Sequence, residues 1–369
     1  MSKAGMPLTL AVCLLTIVDC HGTSASPRAP SLDSYVVGSR PRSVAVADLN
    51  HDGRRDVVVG NAGDGTLTVL VGAGDGRLSP MGSAIPCGND PSFVDAVDLD
   101  KDGDADLVVA NHETSNITVL LNDGEAKFSP APGSPFNSGA RPHVHGVATG
   151  DFDGDGWCDV AVESADTREI RLFRGGPRGL GEAVPIPVGT MPYHRLGAAD
   201  MTGDGIPDLL VPGNGNSTVF FLQRANGGLA KSSPVIAVPD KPFVVLGGDV
   251  SGDGRNDVIA VHAGAVSVLL ATSRGFSPSP GSPFSVAGAS EAAIGDLDGD
   301  GITDIAIAPW DGDEITIIEG GAMTVRKVRA CRRPIGLAIA DLDGDKRGEL
   351  LATCSTGNRL VVLKWSGAK

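Results

Sequence analysis

The stretch Asp151-Phe152-Asp153-Gly154-Asp155-Gly156-Trp157-Cys158-Asp159 carries carboxylates at positions 1, 3, 5 and 9 of a nine-residue loop, with glycine at positions 4 and 6. A hard cation such as Ca²⁺ takes six to eight oxygens at about 2.3–2.6 Å. Alternate side chains on a tightly turned loop can converge to supply them, and the backbone carbonyl of Trp157 at position 7 would add one more. Glycine at position 6 permits the sharp turn. The β-branched residues Val160 and Val162 follow, so the loop opens a strand. An EF-hand would need a flanking helix on each side and a glutamate at position 12, and neither is present.

The same frame begins at Asp48 (DLNHDGRRD), Asp98 (DLDKDGDAD), Asp200 (DMTGDGIPD), Asp249 (DVSGDGRND), Asp296 (DLDGDGITD) and Asp341 (DLDGDKRGE), at intervals of 45 to 53 residues. A fixed period of that size marks a repeat architecture, and seven strand-rich copies is a propeller count. The predicted fold is all-β: a seven-bladed β-propeller of four-stranded antiparallel blades. In the first repeat, Ser43–Asp48 reads as strand a, Asp56–Asn61 as strand b, Thr66–Gly72 as strand c and Leu78–Cys87 as a proline-interrupted strand d. Strand a is rich in small residues (Ala45, Ala47, Ala148, Gly197, Gly247, Ala338), which suits innermost strands crowded about an axis. Strand d carries Pro80, Pro86, Pro130, Pro135, Pro278 and Pro283, and proline is confined to sheet edges, so d is outermost. The seventh repeat stops after its third strand, Arg359 to Trp365. The N-terminal piece Tyr35–Gly38 matches the d-to-a junctions elsewhere and is expected to complete the last blade and close the ring.

These repeated units resemble the FG-GAP/VCBS repeats of seven-bladed propellers, found in bacterial secreted proteins, some lectins and integrin α-subunit heads. The resemblance covers about residues 33–369 and implies that the acidic loops bind Ca²⁺, up to seven ions. The ligands it implies are Asp48, Asn50, Asp52 and Asp56; Asp98, Asp100, Asp102 and Asp106; Asp151, Asp153, Asp155 and Asp159. Further along they are Asp200, Thr202, Asp204 and Asp208; Asp249, Ser251, Asp253 and Asp257; Asp296, Asp298, Asp300 and Asp304; Asp341, Asp343, Asp345 and Glu349. Lys346 replaces the position-6 glycine of the seventh loop and brings both strain and a competing cation there.

Charge agrees with metal loading. These positions hold 25 of the 45 Asp and Glu residues of a chain whose formal charge is −15. Two such charges 4 Å apart repel by about 4 kcal/mol at an effective dielectric of about 20, and a dication removes that cost. The competing explanation is that Asp and Gly merely form Asx-type hairpin turns. With no basic stripe and no aromatic stacking pattern, nucleic acid is not an expected partner.

Residues 1–25 read as a signal peptide: Lys3, an eleven-residue apolar run from Leu8 to Val18, then Thr23, Ser24 and Ala25. That run is too short to span a bilayer. Asp19 makes Cys20 a poor lipidation site. A short linker, residues 26–32, would precede the propeller, residues 33–369. The expectation is a monomer that is secreted, periplasmic or on the cell surface, with no membrane span.

The b–c loops and d–a junctions should lie on the face opposite the acidic loops. They carry His112, His143, His145, Tyr193, His194, Arg195, His262 and Trp310, with Asn61, Asn111 and Glu163 nearby. His143, His145, Tyr193, His194 and Arg195 come from adjacent junctions and form the candidate ligand patch. Two histidines two residues apart are a weak signal for a transition metal. Cys331 and Cys354 should share this face on neighbouring blades and are expected to form a disulfide, leaving Cys158 free. No nucleophile elbow, phosphate loop or zinc-protease motif is present. The reading is a non-catalytic binding or adhesion scaffold for an extracellular glycan or protein. The alternative is a polysaccharide lyase or hydrolase using His143, His145, Tyr193, His194 and Arg195 as acid–base groups.

Overall fold

Each acidic loop runs into an apolar segment, and in every repeat that segment is a six-residue strand with no exposed position: Asp56–Asn61, Asp106–Asn111, Asp159–Ser164, Asp208–Gly213, Asp257–His262, Asp304–Pro309 and Glu349–Cys354. Near-continuous apolar runs are what a strand covered on both faces requires. The computed structural model in which these lie describes residues 30–225, 228–231 and 235–365. The expected signal peptide, residues 1–25, and its Cys20 lie outside the described residues, as do residues 26–29 of the expected linker.

The strands form seven antiparallel sheets, one per repeat, arranged as a seven-bladed β-propeller. Strand b sits second from the axis and pairs with strand a inside it and strand c outside it. In the first blade the strands run Pro41–Ala47, Asp56–Asn61, Thr66–Gly72 and Leu78–Pro86. Seven apolar layers make up the core, each shared between neighbouring blades. Leu67 and Val69 of blade one, for example, pack with Val94 and Leu107 of blade two. Val57 and Val59 of blade one pack with Leu351 and Val362 of blade seven. Aliphatic burial between sheets supplies the driving force, so a blade without neighbours would leave both its faces wet.

Innermost strands approach each other closely, as their small residues predict. A Cβ on Gly247 would meet the Ala199 Cβ at 2.6 Å, and one on Gly336 would meet the Arg42 carbonyl oxygen at 2.6 Å. Outer strands are irregular where prolines fall. In blades two and five they break into two short segments, Phe128–Pro130 with Phe136–Asn137, and Gly275–Pro278 with Phe284–Ser285. In blade four the described outer segments are Gly228–Lys231 and Ile236–Ala237.

Ring closure follows the expected route with one correction. The N-terminal strand is Ser31–Val36, paired antiparallel with Arg359–Lys364 from Ser31↔Lys364 to Val36↔Arg359. It therefore starts at Ser31, inside the expected linker 26–32, because the last strand offers it six partners rather than two. The Cys331–Cys354 disulfide is formed, with Cα atoms 6.0 Å apart across a separation of 23 residues, and ties blade six to blade seven. Cys87 and Cys158 are free and buried, and burial pushes both thiols up to about 12. Among the described residues no helix is long and apolar enough to cross a membrane.

Replacing Cys331 and Cys354 together by serine should lower unfolding stability by about 2–4 kcal/mol, read from the denaturant midpoint at unchanged slope. An unchanged midpoint would mean that the adjoining blade interface already holds this corner.

Candidate functional site

The acidic loops share one internal architecture. The carboxylate at position 9 lies beneath the loop and accepts the backbone N–H of position 2 in all seven: Leu49→Asp56, Leu99→Asp106, Phe152→Asp159, Met201→Asp208, Val250→Asp257, Leu297→Asp304 and Leu342→Glu349, at 2.7–3.1 Å. Its other oxygen accepts an N–H from the end of strand c, as from Gly72, Asn122, Gly175, Ala271 and Gly320. Burial pushes Asp106, Asp159, Asp208 and Asp304 up to about 6 and Glu349 up to about 7. The position-1 carboxylate accepts the N–H of position 6, as Asp151 does from Gly156 at 2.7 Å. The position-5 carboxylate accepts that of position 7, as Asp155 does from Trp157 at 2.8 Å.

Positions 4 and 6 have positive φ, and glycine fills most of them. Lys346 keeps that backbone conformation at φ 71° and still donates its N–H to Asp341 at 2.9 Å. The expected strain is therefore present without loss of the loop's shape.

In blades two, three and six one oxygen from each of three carboxylates falls within 4.8 Å of the others: Asp98, Asp100 and Asp106; Asp151, Asp153 and Asp159; Asp296, Asp298 and Asp300. These sets could hold a metal ion. Asp48 Oδ1 is buried without a hydrogen-bond partner, an oxygen with capacity to spare in the first loop. Basic neighbours compete in others. Arg54 pairs with Asp52 at 2.6 Å and Arg255 with Asp253 at 2.5 Å.

On the opposite face three adjacent blades assemble a histidine cluster. His112 follows strand b of blade two, His143 and His145 lie in the junction entering blade three, and Tyr193 and His194 lie in the junction entering blade four. Ring centroids are 3.9 Å apart for His112–His143, 4.6 Å for His143–His145, 4.8 Å for His145–Tyr193 and 5.0 Å for His145–His194. Behind them Glu163, fully buried, accepts both the His145 backbone N–H and its Nδ1–H through Oε1, each at 2.7 Å. Burial pushes the Glu163 carboxyl up and the His145 imidazole down. Burial likewise lowers His194 to about 3. His194 is held at φ 81°, a strained backbone at a site of clustered chemistry.

Two cavities open here, of about 680 Å³ and 420 Å³. Both are bordered by Arg42, His145, His194, Ser290 and Trp310. Trp310 is 65% exposed at their rim. The smaller cavity adds Arg40 and Arg333, which reading by residue type passed over. Their signal was a basic residue just before the junction proline, as in Arg40-Pro41 and Arg333-Pro334. Arg195 is engaged inside the ring. Its guanidinium bonds Glu291 at 2.6 Å and the Ala292 carbonyl at 2.9 Å, and lies over Phe93, so it spans from blade four to blade six.

His262 is not brought to this cluster. It ends strand b of blade five, 1% exposed, and its Nε2 bonds the Ser267 hydroxyl at 2.8 Å. Asn61 with Thr66, and Asn111 with Asn116, make the same link five residues on. All three close the b–c hairpin.

The FG-GAP-like repeat family matches residues 48–109, 98–162, 200–260 and 249–307. The chain belongs to this family. No curated protein sequence matches it. Similar solved structures include BBS1N in complex with ARL6DN, soaked with lead, at 15% identity and TM-score 0.62, covering 92% of this chain and 98% of that one. The BP39L lectin of Burkholderia pseudomallei is similar at 18% identity and TM-score 0.65, covering 90% and 98%. Virginiamycin B lyase of Staphylococcus aureus follows at 12% identity and TM-score 0.58, covering 91% and 99%. At these identities the likeness is one of fold.

The hairpin role of His262 has a pH signature. Burial lowers its imidazole below the usual range. As pH falls through about 6.5 the unfolded chain takes up a proton there before the folded FG-GAP propeller does, so stability is lost on acidification. His262→Asn, which copies Asn61 and Asn111, removes that loss. The thermal midpoint of the variant relative to the parent should rise between about pH 7.5 and about pH 5. A pH-independent difference would refute the assignment.

Proposed function

We propose that this protein is an exported, calcium-stabilised binding module whose histidine- and arginine-lined face takes an acidic glycan. The observation that carries the ligand reading is the pair of neighbouring cavities opposite the acidic loops, with Trp310 exposed at the rim and Arg333 beside it, and with Arg40 and Arg42 around Asp90 at 3.9 and 3.5 Å. An indole face stacks on a sugar ring, and guanidinium groups match carboxylates in planar, paired geometry. The extracellular setting is supported by the Cys331–Cys354 disulfide, a bond kept in oxidising compartments.

Calcium is supported by the chemistry of the donors. The converging groups of the acidic loops are all hard oxygens, and the buried Asp48 Oδ1 has no hydrogen-bond partner. Asp48, Asp98, Asp151, Asp200, Asp249, Asp296 and Asp341, with their partners at positions 3, 5 and 9, would hold the ions. A bound dication offsets mutual repulsion and locks the loops. Treatment with EDTA should lower the thermal midpoint by several degrees, each about 1 kcal/mol lost being worth roughly 1–2 °C in a chain of this size. Added Ca²⁺ should restore it. A midpoint indifferent to chelator would remove calcium from the account.

The enzyme reading has one observation in its favour, the buried carboxylate that orients His145, an arrangement suited to proton transfer. A screen of acidic and neutral glycans distinguishes the readings. Binding confined to acidic glycans, without turnover and weakened roughly 5–30-fold by Trp310→Ala, is the expected result, since loss of one stacking contact is worth about 1–2 kcal/mol. Turnover abolished in His143→Ala would instead mark a lyase or hydrolase. Binding indifferent to glycan charge and to Trp310→Ala would reject the acidic-glycan reading.

A further inference from the structure

The histidine cluster has the makings of a second kind of metal site, distinct in chemistry from the acidic loops. One ring nitrogen each of His112, His143 and His145 lies within 4.8 Å of the others. The Nε2 atoms of His143 and His145 are 3.2 Å apart. Two imidazole nitrogens bound to one tetrahedral zinc at about 2.0–2.1 Å lie roughly 3.3–3.4 Å apart, so this pair needs almost no rearrangement.

The orientation of His145 supplies the second observation. Its Nδ1–H donates to Glu163 Oε1 at 2.7 Å, and the tautomer this fixes leaves the Nε2 lone pair to accept from His143 Nε2–H at 3.2 Å, a proton that a metal ion between the two nitrogens would displace. A ligating histidine that gives its other ring N–H to a carboxylate is the usual outer support of a zinc site. Glu163 is itself wholly buried, and its Oε2 has no hydrogen-bond partner. Such a carboxyl is costly to keep, and the hairpin does not need it, because blades one and two place neutral Asn61 and Asn111 one position further along the same strand.

Access is also present. All three histidines line the cavity of about 680 Å³, which Tyr193 and Trp310 also border. A metal held by three protein nitrogens would keep one coordination position turned toward that space, the open form of zinc site. His194 stacks on His145 and shields it from the side.

We propose that His112, His143 and His145, oriented by Glu163, bind a single borderline transition-metal ion of the Zn²⁺ class on the face opposite the acidic loops. Nitrogen donors select this class, whereas the acidic loops present only oxygens suited to harder cations. The site does not depend on the glycan reading, and it would stand if no glycan bound.

The test uses the full chain in excess Ca²⁺, so that the acidic loops are saturated, with Zn²⁺ titrated calorimetrically. One tight equivalent is expected. Glu163→Gln should weaken it by roughly 10–100-fold, and His112→Ala or His143→Ala by more. His262→Asn should leave it unchanged. Because a cavity-lining variant can fail to fold, Co²⁺ is added to the unmodified protein as an independent readout. Intense visible absorption of a four-coordinate nitrogen site supports the proposal. Absence of an equivalent resistant to Ca²⁺, the weak spectrum of six-coordinate oxygen ligation, or unchanged affinity in folded His112→Ala and His143→Ala variants would overturn it.

Discussion

The structure depends on a carboxylate buried where water cannot reach it. At position 9 of every acidic loop an aspartate, or Glu349 in blade seven, lies under the turn and receives the N–H of position 2. Where its second oxygen takes an N–H from the end of strand c, as in Asp56 with Gly72, one side chain joins the loop, strand b and strand c. A hydrogen bond to a charged acceptor is worth about 1.5–3 kcal/mol, and an orphaned buried N–H costs a similar amount. Position 2 is apolar in all seven loops, and Leu49, Phe152 and Val250 are completely buried. The acidic sequence motif is thus half a core motif. Its outer carboxylates at positions 1, 3 and 5 can meet a cation only because position 9 and its apolar partner have fixed the loop from below.

This constraint explains why the ring tolerates so much variation elsewhere. Outer strands break at prolines in blades two and five, yet strand b remains fully buried in both. Closure adds the missing outer strand of blade seven from the opposite end of the chain, which leaves that blade with four strands like its neighbours. The disulfide acts at the adjoining blade six–seven boundary. The long-range seam is closed by the pairing of the chain-end strands, where the entropy of closure is largest, whereas the disulfide closes a loop of only 23 residues at the neighbouring boundary.

Much of the fold was legible because periodicity and residue size both speak about position. The intervals between loops announced the repeat, alanine and glycine marked the axis, and proline marked the rim. Boundaries of strands b and c in blade one could be read directly, since apolar runs there end at Asn61 and Gly72. The start of the first strand at Ser31 was not legible, because an exposed edge strand needs no hydrophobic signature. The ligand face was legible only in part. Residue type and junction position correctly gathered His143, His145, Tyr193 and His194. They also offered His262, whose place in the hairpin follows from a bond to Ser267 that no spacing reveals. Arg195 could not be told apart from a free cation without knowing that Glu291 lies across the axis.

The two faces divide the work through their loops. Acidic loops repeat one solution seven times, because each must satisfy the same backbone donors and position-9 carboxylate. Junctions and b–c turns have no such shared obligation beyond the hairpin link at the end of strand b, so they are free to differ. That freedom is used in one sector: His112, His143, His145, Tyr193 and His194 converge from consecutive blade edges, and no single blade could assemble them. Their mutual distances are set by the apolar layers between blades two and three and between three and four. Rigid sheets on both sides are what allow a strained His194 and a buried, half-satisfied Glu163 to persist. The tightly pinned acidic face therefore underwrites the variable one, since any loosening of the blade interfaces would let the histidines relax apart.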